Sequence, residues 1–230
     1  MSEPKPPLVN VIGVHKTYRV GQRSMEALRG VTVEIPQGPF SVIQGPSGSG
    51  KTTLLNLIGC LDHPTSGKVL VAGNDVSQLP DKALSRFRAM KLGFIFQSFN
   101  LFPVLTAFEN VEYALLLQRR TKTEARTRTA EILSEVGLTG VGDHLPGELS
   151  GGQCQRVAIA RALVTGPEIV IADEPTANLD SATGLSIIRL MLELRDRTGT
   201  TFVISTHDPA IARFAELHFE LRDGKLEEEA

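Results

Sequence analysis

The run Gly45-Pro46-Ser47-Gly48-Ser49-Gly50-Lys51-Thr52 matches G-x-x-x-x-G-K-[ST] at every fixed position. It follows residues 40–44 (FSVIQ), which have strand character, and it opens residues 51–60 (KTTLLNLIGC), whose apolar spacing is helical. A glycine loop between a strand and a helix commits this part of the chain to an α/β unit. The glycines let backbone N–H groups face phosphate oxygens. Lys51 can neutralise the β and γ oxygens, and Thr52, followed by Thr53, can offer a hydroxyl to Mg²⁺.

Elsewhere β-branched residues gather at 9–14 and 31–35, and residues 68–71 and 93–96 read as further short strands. Residues 106–136 are rich in Leu, Ala, Glu and Arg without proline, which favours helices. A buried strand at 168–172, an amphipathic helix at 181–197, a strand at 201–205 and a hairpin of 217–221 with 225–227 across Asp223-Gly224 follow. This alternation predicts an α/β fold with a mainly parallel sheet and N-terminal antiparallel strands. The core is expected over about 8–97 and 165–228, with a helical subdomain inserted at about 98–164. Residues 1–7 and 226–230 read as loose tails.

A second glycine motif needs its own explanation. Leu149-Ser150-Gly151-Gly152-Gln153 precedes the apolar-rich stretch 156–163 and reads as a polar loop capping a helix start. Such an end presents backbone N–H groups, the Ser150 hydroxyl and the positive end of the helix dipole to a phosphate. One chain therefore carries two phosphate-suited helix ends but a single metal apparatus. The apolar strand 169–172 ends in Asp173, placed to hold Mg²⁺ through a water, and Glu174, placed to polarise an attacking water as general base. Gln97 leaves the strand 93–96, where its amide can touch the metal or the attacking water. His207 leaves the strand 201–205 and suits a γ-phosphate contact; Tyr18 can stack on adenine or serve packing.

In this order the motifs resemble the nucleotide-binding subunits of the ATP-binding cassette family, over nearly the whole chain from Tyr18 to His207. The resemblance implies a P-loop NTPase (RecA-like) core. Tyr18 becomes the adenine-stacking aromatic, Gly45 to Thr52 the Walker A loop, Gln97 the Q-loop glutamine and LSGGQ the signature. Asp173 and Glu174 become the Walker B pair, Asn178-Leu179-Asp180 the D-loop and His207 the switch histidine. It further implies ATP and Mg²⁺ as ligands, ATP hydrolysis, and a head-to-tail dimer with a second copy. Each ATP would lie between one copy's Walker A loop and the other's signature, with Ser150 and Gly152 donating to the γ-phosphate held by the partner copy's Lys51.

An integral membrane permease is implied as well, received by a groove of the helical insertion and residues 97–106. Phe99, Leu101, Phe102, Val104 and Leu105 in that segment are too many for a plain exposed loop, though some of them also pack the insertion. Leu61-Asp62-His63-Pro64-Thr65-Ser66-Gly67, Leu92-Gly93-Phe94-Ile95-Phe96-Gln97 and the residues from Asp173 to Asp180 are most similar to the lipoprotein-release and macrolide-efflux branch. Phe99-Asn100-Leu101-Phe102-Pro103 is also similar to polar amino-acid importers. Cys154-Gln155-Arg156 and Pro39-Phe40 depart from the family's usual residues without touching a catalytic atom.

Composition narrows the setting. With 24 basic and 26 acidic residues the net charge is −2, which gives no field for nucleic acid. No run of 18 or more apolar residues occurs, so a membrane part is expected in another chain, with this one peripheral on the cytoplasmic face of the plasma membrane. Cys60 and Cys154 have neither metal nor disulfide spacing; they are expected as free thiols at helical positions, Cys154 accessible to a reporter label. Among rivals, a soluble cassette ATPase of DNA repair or chromosome structure would carry a long coiled coil, and a translation factor two cassettes. A P-loop kinase gives no reason for LSGGQ together with Asp173-Glu174. A cassette regulating cell-wall hydrolases would share every ATPase part and stays open.

Overall fold

The computed structural model describes residues 6–21 and 23–227. In chain order the strands are β1 (Val9–Val20), β2 (Arg23–Ile35), β3 (Phe40–Gln44), β4 (Ser66–Val71), β5 (Asn74–Asp75), β6 (Leu92–Ile95), β7 (Ile169–Asp173), β8 (Thr201–Thr206), β9 (Leu217–Arg222) and β10 (Lys225–Glu227). The helices are α1 (Lys51–Ile58), α2 (Asp81–Lys91), α3 (Ala107–Leu117), α4 (Lys122–Glu135), α5 (Gly151–Leu163), α6 (Ser181–Thr198) and the single turn α7 (Pro209–Ala212). The tails expected at 1–7 and 226–230 lie, apart from Pro6, Pro7, Leu226 and Glu227, outside the described residues. The chain forms two compact units, one of residues up to Arg86 and from Thr201 on, the other of Phe87–Thr200.

In the first unit β2, β1, β4 and β5 form an antiparallel sheet in that order. β1 and β2 run well beyond 9–14 and 31–35 because their far halves pair with each other, Tyr18 opposite Met25. The residues of β2 there are mostly exposed, so no alternation of apolar residues marks the extension. β3 lies between two parallel neighbours, Phe40 opposite Phe202 of β8 and Ser41 opposite Leu217 of β9. Burial on both faces suits its mainly apolar residues Phe40, Val42 and Ile43, with Ser41 buried as well, and Phe40 stacks on Phe202 with centroids 6.0 Å apart. β9 and β10 close the expected hairpin, Arg222 opposite Lys225. α1 stops at Ile58, short of the expected residue 60, because Gly59 caps it and Cys60 turns left-handed with φ 57°.

In the second unit β6 and β7 run parallel, and α5 packs on β6. Gly93 allows that approach: a Cβ there would lie 2.4 Å from the carbonyl oxygen of Ala162. The helical texture of 106–136 splits into α3 and α4 at Arg119, φ 61°. Thr106 with Glu109 and Thr121 with Glu124 start the two helices as capping boxes. α2 had no counterpart in the sequence reading. Five of its eleven residues are charged and it buries only Leu84, with Ala83, Phe87 and Ala89 half-buried.

Candidate functional site

The first unit holds the phosphate loop. Gly45, Gly48 and Gly50 have φ of 156°, 79° and 109°. A Cβ at Gly45 would lie 2.1 Å from the carbonyl oxygen of Leu221, and one at Gly50 2.7 Å from that of Ala27. The loop is thus pressed onto β9 and β2, while Pro46, Ser47 and Gly48 face outward and Ser49 is buried. A brace that the sequence reading missed comes from the β9–β10 turn. Gly224 N–H donates to Ser49 O at 2.9 Å, and Gly224 O accepts from Arg29 N–H at 2.8 Å.

α1 starts at Gly50 with no side-chain cap and no acid in its first turn. By contrast α3, α4, α5 and α6 are capped by Thr106, Thr121, Ser150 and Asp180. An uncapped helix start behind a glycine loop fits an external phosphate chain. Lys51 is buried, and its Nζ donates to the carbonyls of Gly45 at 2.8 Å and Pro46 at 3.0 Å, which holds the ammonium across the loop. Thr52 is exposed and Thr53 half-buried. β3 and β8 end in register, Gln44 opposite Thr206, so Gly45 and the exposed His207 leave adjacent strand ends together. The half-buried Tyr18 donates its hydroxyl to Asp62 at 2.9 Å.

The second unit holds Gln97, Ser150 to Gln153, Asp173, Glu174 and Asp180. β6 and β7 pair up to Ile95 opposite Ala172, so Gln97 and Glu174 leave the two strands at the same level. Glu174 is left-handed, φ 47°, an uncommon state for a residue with a Cβ that turns its carboxylate out of the strand direction. The turn behind it closes through Ala177 N–H to Glu174 O at 3.2 Å, and Asn178 Nδ2 donates to Gln97 O at 2.9 Å. Asp180 accepts from Thr183 N–H at 3.0 Å, and the hydroxyl and N–H of Thr183 hold its carboxyl below the ordinary value.

The signature is a capping box. Ser150 Oγ accepts from Gln153 N–H at 3.3 Å, and Gln153 Oε1 accepts from Ser150 N–H at 2.8 Å. The amide of Gln153 therefore faces its own backbone, whereas Ser150, accepting at Oγ and exposed, keeps its hydroxyl proton for another acceptor. A Cβ at Gly151 would lie 3.3 Å from Leu179, and one at Gly152 2.9 Å from Thr183, so the signature, the D-loop and the head of α6 pack tightly.

Two clamps here were not expected. Arg161 of α5 donates to the carbonyls of Phe99 at 2.8 Å and Asn100 at 2.5 Å, both left-handed residues, and burial lowers its guanidinium pKa. Asn110 of α3 is fully buried and binds the segment after Gln97 through Phe102, Leu105 and Thr106. Cys154 overturns an expectation. It is buried, its thiol donates to Pro146 O at 3.4 Å, and burial raises its pKa, so it is no accessible labelling site.

Thr52 in the first unit, and Gln97 and Asp173 in the second, carry hard oxygen donors of the kind Mg²⁺ accepts. Among the described residues no group of three or more His, Cys, Asp or Glu forms a dedicated metal cage. No helix among them is long and apolar enough to cross a membrane.

Compared with known families, residues 28–177 match the ABC transporter family. The lipoprotein-releasing system ATP-binding protein LolD of Alcanivorax borkumensis is 46% identical over 220 residues, covering 96% of this chain and 96% of that protein. The macrolide export ATP-binding/permease protein MacB of Sodalis glossinidius is also 46% identical over 96% of this chain, which spans 34% of its length. Among solved structures, the dimeric post-hydrolysis state of the cassette MJ0796 bound to ADP and Pi superposes with a TM-score of 0.89 at 46% identity, covering 96% of this chain and 97% of that one. MJ0796 comes from Methanocaldococcus jannaschii.

Proposed function

The chain belongs to the ABC transporter family as an ATP-binding, ATP-hydrolysing subunit, and from that premise we propose that it works as a dimer driving a separate membrane permease in lipoprotein release or efflux. The observation that carries the dimer is the presence of two phosphate-suited helix starts on one chain, the uncapped α1 and the exposed Ser150 of α5. Support comes from the MJ0796 cassette, dimeric with ADP and Pi, and the branch rests on the relatives named LolD and MacB.

In this reading Tyr18 stacks on adenine, while Gly45 to Gly50, Lys51 and Thr53 hold the phosphates. Ser150 of a second copy donates its hydroxyl to the γ-phosphate, joined by the backbone N–H groups of Gly151 and Gly152, while Gln153 holds the loop in shape through its capping bonds to Ser150, and Asp180 orders the dimer face. Glu174 accepts the proton of the attacking water, Gln97 orients that water, and His207 steadies the γ-phosphate. Mg²⁺, when bound, would be held by Thr52, Gln97 and Asp173 and would neutralise charge building on the β and γ oxygens. Loss of the γ-phosphate removes the group that bridges two copies, so they part; by linkage, dimerisation tightens ATP binding in return.

Residues 98–164 serve as the helical subdomain that meets the permease at the cytoplasmic face of the membrane. Phe102, 45% exposed, and Val104, 81% exposed, present the contact, together with the exposed Tyr113 against which Phe102 packs edge-on at 5.4 Å. Phe99, Leu101 and Leu105 are half-buried and pack the segment.

The test is Glu174→Gln. Turnover should vanish, and gel filtration should show an ATP-dependent dimer; turnover at the wild-type rate would remove Glu174 as the base. Co-purification then separates the branches. A permease with a large extracytoplasmic domain supports release or efflux, and one accompanied by a binding protein supports a polar amino-acid importer.

A further inference from the structure

Tyr18 sits on the far half of the β1–β2 ribbon opposite Met25, which is 60% exposed, so the ring has little core to hold it. A phenol there would turn about its two χ angles, and a stacking platform that turns loses affinity to rotamer entropy. The structure holds the ring in another way. Its hydroxyl donates to Asp62 Oδ2 at 2.9 Å. Lys16 Nζ donates to Asp62 Oδ1 and to His63 O, each at 2.7 Å, and lies 4.9 Å from the ring centroid. The Lys16 side chain is only 12% exposed. The Asp62 segment is itself stitched to β1: Thr65 N–H donates to His15 O at 2.8 Å, and Thr17 N–H to Thr65 Oγ1 at 2.9 Å.

We propose that Asp62 and Lys16 are positioning residues that lock the Tyr18 ring in the plane that receives adenine. The ammonium lies over one face of the ring as a cation–π contact, so a base would stack on the other face. The hydroxyl end is fixed by Asp62, and the Asp62 segment is in turn fixed to β1. The Asp62 carboxyl stays ionised for this task. Burial opposes its charge, but the Lys16 ammonium, the His63 N–H and the Tyr18 hydroxyl outweigh burial and hold it below the ordinary value. The inference rests on Tyr18 being the adenine platform.

The experiment is calorimetric titration of the intact protein with ATP and, separately, with inorganic tripolyphosphate, which has no base. Tyr18→Phe and Asp62→Ala should each weaken ATP binding about 3- to 10-fold, the loss of one buried-edge hydrogen bond, and leave tripolyphosphate binding unchanged. The double variant should lose no more than Asp62→Ala alone, since Asp62→Ala removes the bond that Tyr18→Phe removes and the anchor of Lys16 with it. Asp62→Asn, which keeps an acceptor for the hydroxyl, should recover part of the loss, and melting without nucleotide shows that each variant is folded. An equal loss for tripolyphosphate, multiplying effects, or wild-type ATP affinity in Asp62→Ala would overturn the lock. Tyr18→Ala separates the two ideas. If it leaves the ATP-to-tripolyphosphate ratio unchanged, the adenine platform falls and the lock with it. A changed ratio there beside an unchanged Asp62→Ala removes the lock alone.

Discussion

Replacing Asn110 by aspartate changes one atom and should turn a pH-independent clamp into a pH-dependent fault. Asn110 is fully buried. Its Oδ1 accepts from Phe102 N–H at 2.8 Å, and its Nδ2 faces the carbonyls of Phe102 at 3.1 Å and of Leu105 and Thr106 at 2.9 Å. In Asn110→Asp at low pH the neutral carboxyl keeps one donor proton in place of two, a loss of about 1–3 kcal/mol for a buried carbonyl left short. Ionised, the same group meets three carbonyl dipoles without solvent, which should raise its folded pKa by about 3 units above an unfolded value near 4. With the folded pKa the higher, stability is full below the unfolded pKa and is lost as pH rises through the folded one. At roughly 1.4 kcal/mol per unit, the penalty should be about 2.5 kcal/mol larger at pH 7.5 than at pH 5. Urea unfolding of wild type and variant side by side at both values measures it. A destabilisation that is equal at the two values would show that water reaches position 110 and that Asn110 does not hold the Phe102–Thr106 segment as argued.

Three further outcomes follow from the same geometry. Phe102→Ser should uncouple transport while sparing basal ATPase activity, because Phe102 is half-exposed beside Tyr113; equal loss of basal hydrolysis in purified protein would make it a packing residue. Gly93→Ala brings a Cβ to 2.4 Å from Ala162 O, and overpacking of about 3 kcal/mol should lower the melting temperature by roughly 6–12 °C; a fall under about 2 °C would mean that α5 yields freely. The depressed Asp62 pKa contributes stability above its unfolded value, near 3.8, that fades as pH falls through the folded value. Wild type should therefore lose stability relative to Asp62→Asn only on acidification below about pH 4, and a difference that varies between pH 6 and 8 would contradict this.

What could be read from the sequence depended on whether the chemistry was local. The phosphate loop is fixed by a few adjacent atoms: Gly45 and Gly50 without room for a Cβ, a lysine and a hydroxyl, all within eight positions from Gly45 to Thr52. The cap at Ser150 is as local, since Ser150 and Gln153 are three residues apart. The far half of the β1–β2 ribbon escaped notice because it is largely exposed, and periodicity records burial, not pairing; α2 is dense in charge, five residues of eleven, and so reads as a polar connection.

The clamps were illegible for a different reason. Asp62 reaches Tyr18 across 44 positions and Arg161 reaches Asn100 across 61, and in the second case the acceptor is a backbone carbonyl, which every residue carries. No residue type at the receiving end announces such a bond. Cys154 failed by the same logic in reverse. A position in the first turn of a helix behind an exposed loop reads as open, yet the short turn Pro146–Glu148 folds back so that Pro146 O covers the thiol. Residues whose task is to meet a ligand must be of particular kinds and stand out as motifs. Residues that hold those motifs in place need only a donor at the right point in space, and that point is fixed by the fold.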